Sequence, residues 1–132
     1  MSASHLPPGV PMPPGPRRVL PVLLDLGSCG GHRMVLLSLE LWDGWADLRF
    51  ARVDGGGGRP LTRRVPPAEA WSVWFDDDPV EVFDAVGRGE RAFSNGEVRL
   101  TRVPRGGQTL RVEVTLIAEH DPLRGSIVVP DG

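Results

Sequence analysis

The segment from Val35 to Val53, VLLSLELWDGWADLRFARV, constrains the fold more than any other part of the chain. Asp43-Gly44 sits between two runs in which apolar and polar residues alternate, a strong local signal for a β-hairpin. Glycine accepts positive φ freely and aspartate accepts it more readily than most residues, which predicts a two-residue type I′ turn. That register sets Trp42 opposite Trp45, Leu41 opposite Ala46, Leu39 opposite Leu48 and Leu37 opposite Phe50. One face then carries Val35, Leu37, Leu39, Leu41, Ala46, Leu48 and Phe50, and the other Ser38, Glu40, Trp42, Trp45, Asp47 and Arg49. A slip of one residue would move the leucine face into water, so the register is well specified.

The outer face of this hairpin holds the candidate contact residues. Glu40 falls opposite Asp47, an unfavourable like-charge pairing that Arg49, diagonal to Glu40, can offset. Trp42 and Trp45 stand together at the tip. They either shield the turn beneath another segment, or form an aromatic contact site for a protein partner or a sugar.

A chain of 132 residues fits one domain and is long enough to bury a core without disulfide staples. Cys29 is the single cysteine, so no intrachain disulfide is possible. A net charge of −2 favours neither nucleic acid nor an anionic membrane. There is no lysine and no tyrosine, while glycine, proline and arginine abound. This is the pattern of GC-rich coding, and it lowers the functional weight of an arginine surface. Met1 to Pro16 is proline-rich with no apolar signal core, and no apolar run is long enough to span a bilayer. The expectation is a cytoplasmic protein with a disordered or polyproline II tail over 1–16 and one domain over 17–132.

In chain order, Arg17–Leu26 reads as a first strand, with Pro21 pointing to an edge position or a strand start. Gly27–His32 reads as a glycine-rich turn and Asp54–Pro60 as a flexible loop without stored geometry. Trp71–Phe75 alternates like a strand and Asp76-Asp77-Asp78-Pro79 ends it. Residues 80–86 fit either a helix or a strand. Asn95-Gly96 signals a second hairpin with Phe93 opposite Val98. Leu110–Ala118 is a strong strand, with Leu110, Val112, Val114, Leu116 and Ala118 facing in, and Ser126–Val129 a last one. Sustained helical periodicity is absent, so many short strands predict an all-β sandwich or barrel.

Three constellations bear on chemistry. Cys29-Gly-Gly-His32 has metal-ligand spacing that His120-Asp121 could complete, yet a structural zinc normally takes four ligands, several of them cysteine or histidine. The same Cys29–His32 pair could act as nucleophile and base, although nothing orients the base. Asp76, Asp77, Asp78, Glu81 and Asp84 form an acidic stretch able to offer oxygen ligands to calcium, and equally an ordinary solvated turn. Arg88, Arg91, Arg99, Arg102 and Arg105 give the later strands a basic bias, interspersed with Glu90 and Glu97 as on a mixed-charge surface. Phosphate-loop, dinucleotide-binding and serine-hydrolase motifs are absent.

Val19–Val22, the Leu-x-Leu run of Val35–Leu41, the Asp-Gly turn, Leu48–Phe50, the Trp-x-Val run ending in acid over Trp71–Asp78, and Leu110–Val114 together resemble a group of small bacterial immunoglobulin-like β-sandwich proteins of unassigned function. The likeness covers roughly Arg17 to Ala118 and is a pattern of strands and turns. Gly87-Arg88-Gly89 would be a short version of the glycine-rich loop found after the acidic strand in that group. The resemblance implies an immunoglobulin-like antiparallel sandwich of about seven to eight strands and carries no catalytic residue.

The expected protein is therefore not an enzyme and needs no cofactor. It would act as a protein–protein interaction or accessory module through Trp42 and Trp45, on an unknown partner or a second copy, with no nucleic acid or membrane involved. The alternative is a calcium- or carbohydrate-binding sandwich using loop 76–84 or the tryptophan tip.

Overall fold

A computed structural model describes residues 15–131. The proline-rich tail, apart from its last two residues, lies outside them. The described residues form nine strands: β1 Arg18–Cys29, β2 His32–Leu41, β3 Ala46–Asp54, β4 Trp71–Phe75, β5 Asp78–Val80, β6 Val82–Gly89, β7 Phe93–Leu100, β8 Thr109–Val114 and β9 Leu123–Val128. They pair antiparallel in a five-stranded sheet ordered β1-β2-β3-β7-β6 and a four-stranded sheet ordered β5-β4-β8-β9. The protein is all-β, and a sandwich is compatible with it.

The core lies between the inner faces. Leu39, Ala46, Leu48, Phe50, Val98 and Leu100 from the larger sheet are buried together with Trp71, Val73, Phe75, Leu110, Val112 and Val114 from the smaller. Phe50 and Trp71 join the layers, ring centres 5.0 Å apart. At roughly 1.5–3 kcal/mol for each large apolar side chain removed from water, this face supplies the main drive to fold. Pro21 sits in β1, at the sheet edge, where its missing N–H costs no ladder bond toward an outer neighbour.

Several expectations need correction. Leu36, not Leu37, pairs with Phe50, because Leu37 is an extra residue in a β-bulge between Leu36 and Ser38. Met34 and Leu36 are buried, while Leu37 is 37% exposed and Val35 half-buried. Three consecutive apolar residues, Val35-Leu36-Leu37, leave the parity of alternation open, and the bulge resets it. At the Asp43-Gly44 turn only Gly44 takes positive φ, at 86°. The paired positive values of a type I′ turn occur instead at Gly30 and Gly31, which join Cys29 to His32.

Asn95-Gly96 makes no hairpin. Both residues lie inside β7, opposite Arg88 and Gly87 on one side and Ala51 and Phe50 on the other. Gly96 is there for closeness: an added Cβ would meet the Val86 carbonyl oxygen at 2.1 Å and the Phe50 ring at 3.0 Å. The β6–β7 connection is residues 90–92, closed by Glu90 N donating to the Phe93 carbonyl. Gly87-Arg88-Gly89 belongs to β6 rather than to a loop, and residues 80–86 are extended, mostly within β5 and β6. The strand predicted over Leu110–Ala118 ends at Val114, and the last strand starts earlier, at Leu123.

The 54–60 loop is not free of stored geometry. The Asp54 carboxylate accepts from the N–H groups of Gly56 at 2.9 Å and Gly58 at 2.8 Å, and Arg59 N donates to the Gly30 carbonyl. The Gly56 bond contributes most to holding the Asp54 carboxyl below its ordinary value.

Candidate functional site

The alternation of β2 and β3 projects Trp42 and Trp45 from the same face of the hairpin, and Trp42 N donates to the Trp45 carbonyl at 2.9 Å. The indoles lie parallel, centroids 4.6 Å apart and planes within 6°. Arg99, on the neighbouring strand β7, places its Cζ 4.1 Å from the Trp45 centroid. A ring face at that spacing holds one partner, so Trp42 and Arg99 take opposite faces of Trp45. Arg99 also grips Asp47, its direct cross-strand partner, through Nε–Oδ1 at 3.1 Å and Nη2–Oδ2 at 3.2 Å. The fork geometry fixes the guanidinium plane, and a fixed plane suits stacking. This hydrogen bond to Asp47 also raises the Arg99 pKa, against the effect of burial. Asp47 is 1% exposed although it lies on the outer face.

Beside the tip, the like-charge opposition expected between Glu40 and Asp47 is real, and Glu97 joins it. The three carboxylates offer oxygens within 4.8 Å of one another. Arg49 offsets them, with Nε 2.6 Å from Glu40 Oε2 and Nη2 3.6 Å from Glu97 Oε1. Burial first, then a hydrogen bond with Asp47, pushes the Glu97 carboxyl above its ordinary value. With guanidinium groups on all three carboxylates, the cluster is an ion-pair network that braces the tryptophan tip. The Trp42 Nε1 donor is buried and has no hydrogen-bond partner among the described residues.

The other candidate residues are placed as follows. Cys29 and His32 are hairpin partners, yet their side chains part company. Cys29 Sγ is 3.1 Å from Nδ1 of His120, whose Nε2 is 3.2 Å from Arg59 Nη1. His32 is 2% exposed, with Nδ1 2.9 Å from Arg52 Nη1 and Nε2 2.6 Å from the Arg59 carbonyl. An arginine only donates, so Nδ1 of His32 accepts and Nε2–H donates to the carbonyl: the ring is neutral and fully engaged. The C-x-x-H spacing therefore brings no pair of ligands together.

The acidic stretch does not converge either. Asp76-Asp77 is the turn between β4 and β5, and the Asp76 carboxylate accepts from Thr109 N at 2.8 Å and from Gln108 Nε2 at 3.4 Å. Asp84 accepts from its own neighbour, Ala85 N. Among the described residues, Glu40, Asp47 and Glu97 are the set of three acidic groups close enough to share an ion, and none comes from 76–84.

Sequence reasoning missed a polar end to the core. Arg52 is 0% exposed. Its Nε donates to Ser94 Oγ and the Arg64 carbonyl, Nη1 to His32 and more weakly to the Arg91 carbonyl, and Nη2 to the Glu90 carbonyl at 2.7 Å. The signal was present: continuing the alternation Ala46, Leu48, Phe50 by one step places Arg52 inside.

No family model matches this chain, and neither the curated proteins nor the solved structures searched contain a match. Among the described residues no helix is long and apolar enough to cross a membrane.

Proposed function

We propose that the protein is a non-catalytic, immunoglobulin-like β-sandwich that works by contacting another protein, or a second copy of itself, through the Trp42–Trp45 tip. The observation that carries this reading is the stack itself. Two parallel indoles are held upright by an arginine whose own plane is fixed by a buried aspartate. Aromatic groups immobilised before binding lose little entropy on contact, which is what an interaction hot spot requires. Among the described residues no ring or cation stacks on the outward face of Trp42. The same sheet face continues to Val53 and Phe93, paired across β3 and β7, which are 42% and 41% exposed. The immunoglobulin-like assignment is supported by two antiparallel sheets between which the chain crosses repeatedly, β1–β3, β6 and β7 in one and β4, β5, β8 and β9 in the other.

Light scattering and quantitative capture from a lysate of the source cell test this with a Trp42→Ala/Trp45→Ala double variant. The reading expects loss of self-association or loss of a captured protein. A monomer whose captured set is unchanged by the double substitution contradicts it.

A further inference from the structure

The polar end of the core opens through a cavity of about 290 Å³, walled in part by His32, Arg52, Asp54, Arg59, Arg64 and Arg91. Four arginines line it together with one aspartate and a neutral histidine. That carboxylate, Asp54, is occupied with the backbone of its own loop. None of the four arginines ion-pairs with a carboxylate among the described residues. Arg52 has only neutral acceptors: three carbonyls, a hydroxyl and an imidazole nitrogen. A buried cation without a counter-ion is costly, and an anion placed above it would relieve that cost.

We propose that this cavity binds a small, multiply charged oxyanion of the phosphate type. Arg64 and Arg91, exposed at its wall, make the direct contacts, and Arg59, exposed there too, has Nη1 3.2 Å from His120 Nε2. Guanidinium groups meet phosphate oxygens through paired N–H···O bonds. Arg52, with no exposed surface, forms part of the lining and acts through its field, which low-dielectric walls strengthen. Burial lowers the Arg52 pKa, with Arg64 adding to the effect and Asp54 opposing it, as expected where positive charge is under-compensated. The volume sits at the lower limit of organic ligand sites, which span roughly 300–1,000 Å³, and suits phosphate or pyrophosphate. The excess of positive groups favours a multiply charged anion over a monocarboxylate. The site is separate from the tryptophan tip. Arg52 is seven residues beyond Trp45 along β3, about 23 Å at the rise of a strand, and on the opposite face.

Titration calorimetry and amide chemical-shift mapping at fixed ionic strength test this, using sodium pyrophosphate, sodium phosphate and sodium acetate as probes. The expected result is saturable binding, tightest for pyrophosphate and weakest for acetate, with shifts confined to residues 30–33, 52–64 and 89–94. Arg64→Gln and Arg91→Gln should each weaken pyrophosphate binding by about tenfold, the scale of one lost charge-assisted contact. Arg105→Gln, outside the cavity, should leave it unchanged. These variants sit on exposed side chains and leave the Arg52 network intact, so loss of binding would not be loss of fold. Acetate binding as tight as pyrophosphate, shifts spread over the whole surface, or an Arg64→Gln/Arg91→Gln double variant with undiminished affinity would overturn the proposal.

Discussion

Arg99 holds Asp47 through two parallel N–H···O bonds while its guanidinium lies against Trp45, so one side chain ties a buried carboxylate to the aromatic tip. Arg99→Ala removes both contacts and leaves Asp47 buried beside Glu40 and Glu97 with its main counter-charge gone. A fully buried pair broken in this way costs about 3–5 kcal/mol. Arg99 is 41% exposed, so water can partly replace it and a loss of about 1–3 kcal/mol is expected. Urea unfolding measures the loss, and the tryptophan emission should move with it. Arg99→Lys should recover only part, because an ammonium group cannot form the fork.

The Glu97 carboxyl has a specific pH signature. The folded protein holds its proton more tightly than the unfolded chain does, owing to burial and to Asp47. Its contribution to stability is therefore complete below the ordinary glutamate value and is lost as pH rises through the raised native value. Glu97→Gln offers Asp47 an N–H donor at every pH. The stability of the wild type relative to Glu97→Gln should fall as pH is raised from the ordinary glutamate range toward neutrality. A difference that stays constant over that range would refute the shared-proton account.

Gly96 tests the register of the larger sheet. An alanine there would drive its Cβ into the Val86 carbonyl and against Gly87 and the Phe50 ring. Overpacking of this kind costs about 1–3 kcal/mol, and the backbone contact places Gly96→Ala at the upper end. Had Asn95-Gly96 been a turn, the substitution would have acted through φ instead. At Gly96 the strand is extended and the loss should come with faster hydrogen exchange in both β6 and β7.

Arg52 anchors the two loops over the polar end of the core. Arg52→Met keeps the stem and deletes the donors to the Glu90 and Arg64 carbonyls, Ser94 and His32. Leaving such acceptors unpartnered is expected to cost about 2–4 kcal/mol. Denaturant unfolding gives the total, and hydrogen exchange should localise the loosening to residues 59–64 and 90–94. A loss within experimental scatter would mean that water replaces the guanidinium.

The legible part of this fold was what period-two patterning encodes. The leucine face from Leu39 to Phe50, the core side of Trp71–Phe75 and the buried side of Leu110–Val114 all follow from alternation, because burial acts on each residue separately. Alternation failed where three apolar residues ran together at Val35–Leu37. It also failed at Asn95-Gly96, where a turn dipeptide was placed by packing against Phe50 rather than by turning. The tryptophan tip was readable because both residues flank one turn. Arg99 over Trp45, Glu97 beside Asp47 and Arg64 beside Arg52 were not, since each pair is assembled by strand order or by a loop crossing from further along the chain.

A photo-activated cross-linking side chain placed at Asp43 tests the interaction surface most directly. Asp43 lies in the turn between the two tryptophans and its side chain is 89% exposed. A matched control carries the same group at Asp77, in the exposed turn of the smaller sheet. A defined protein adduct from position 43, abolished by Trp42→Ala/Trp45→Ala and absent from position 77, is the predicted result. No adduct from 43, or the same adducts from both positions, would contradict the account.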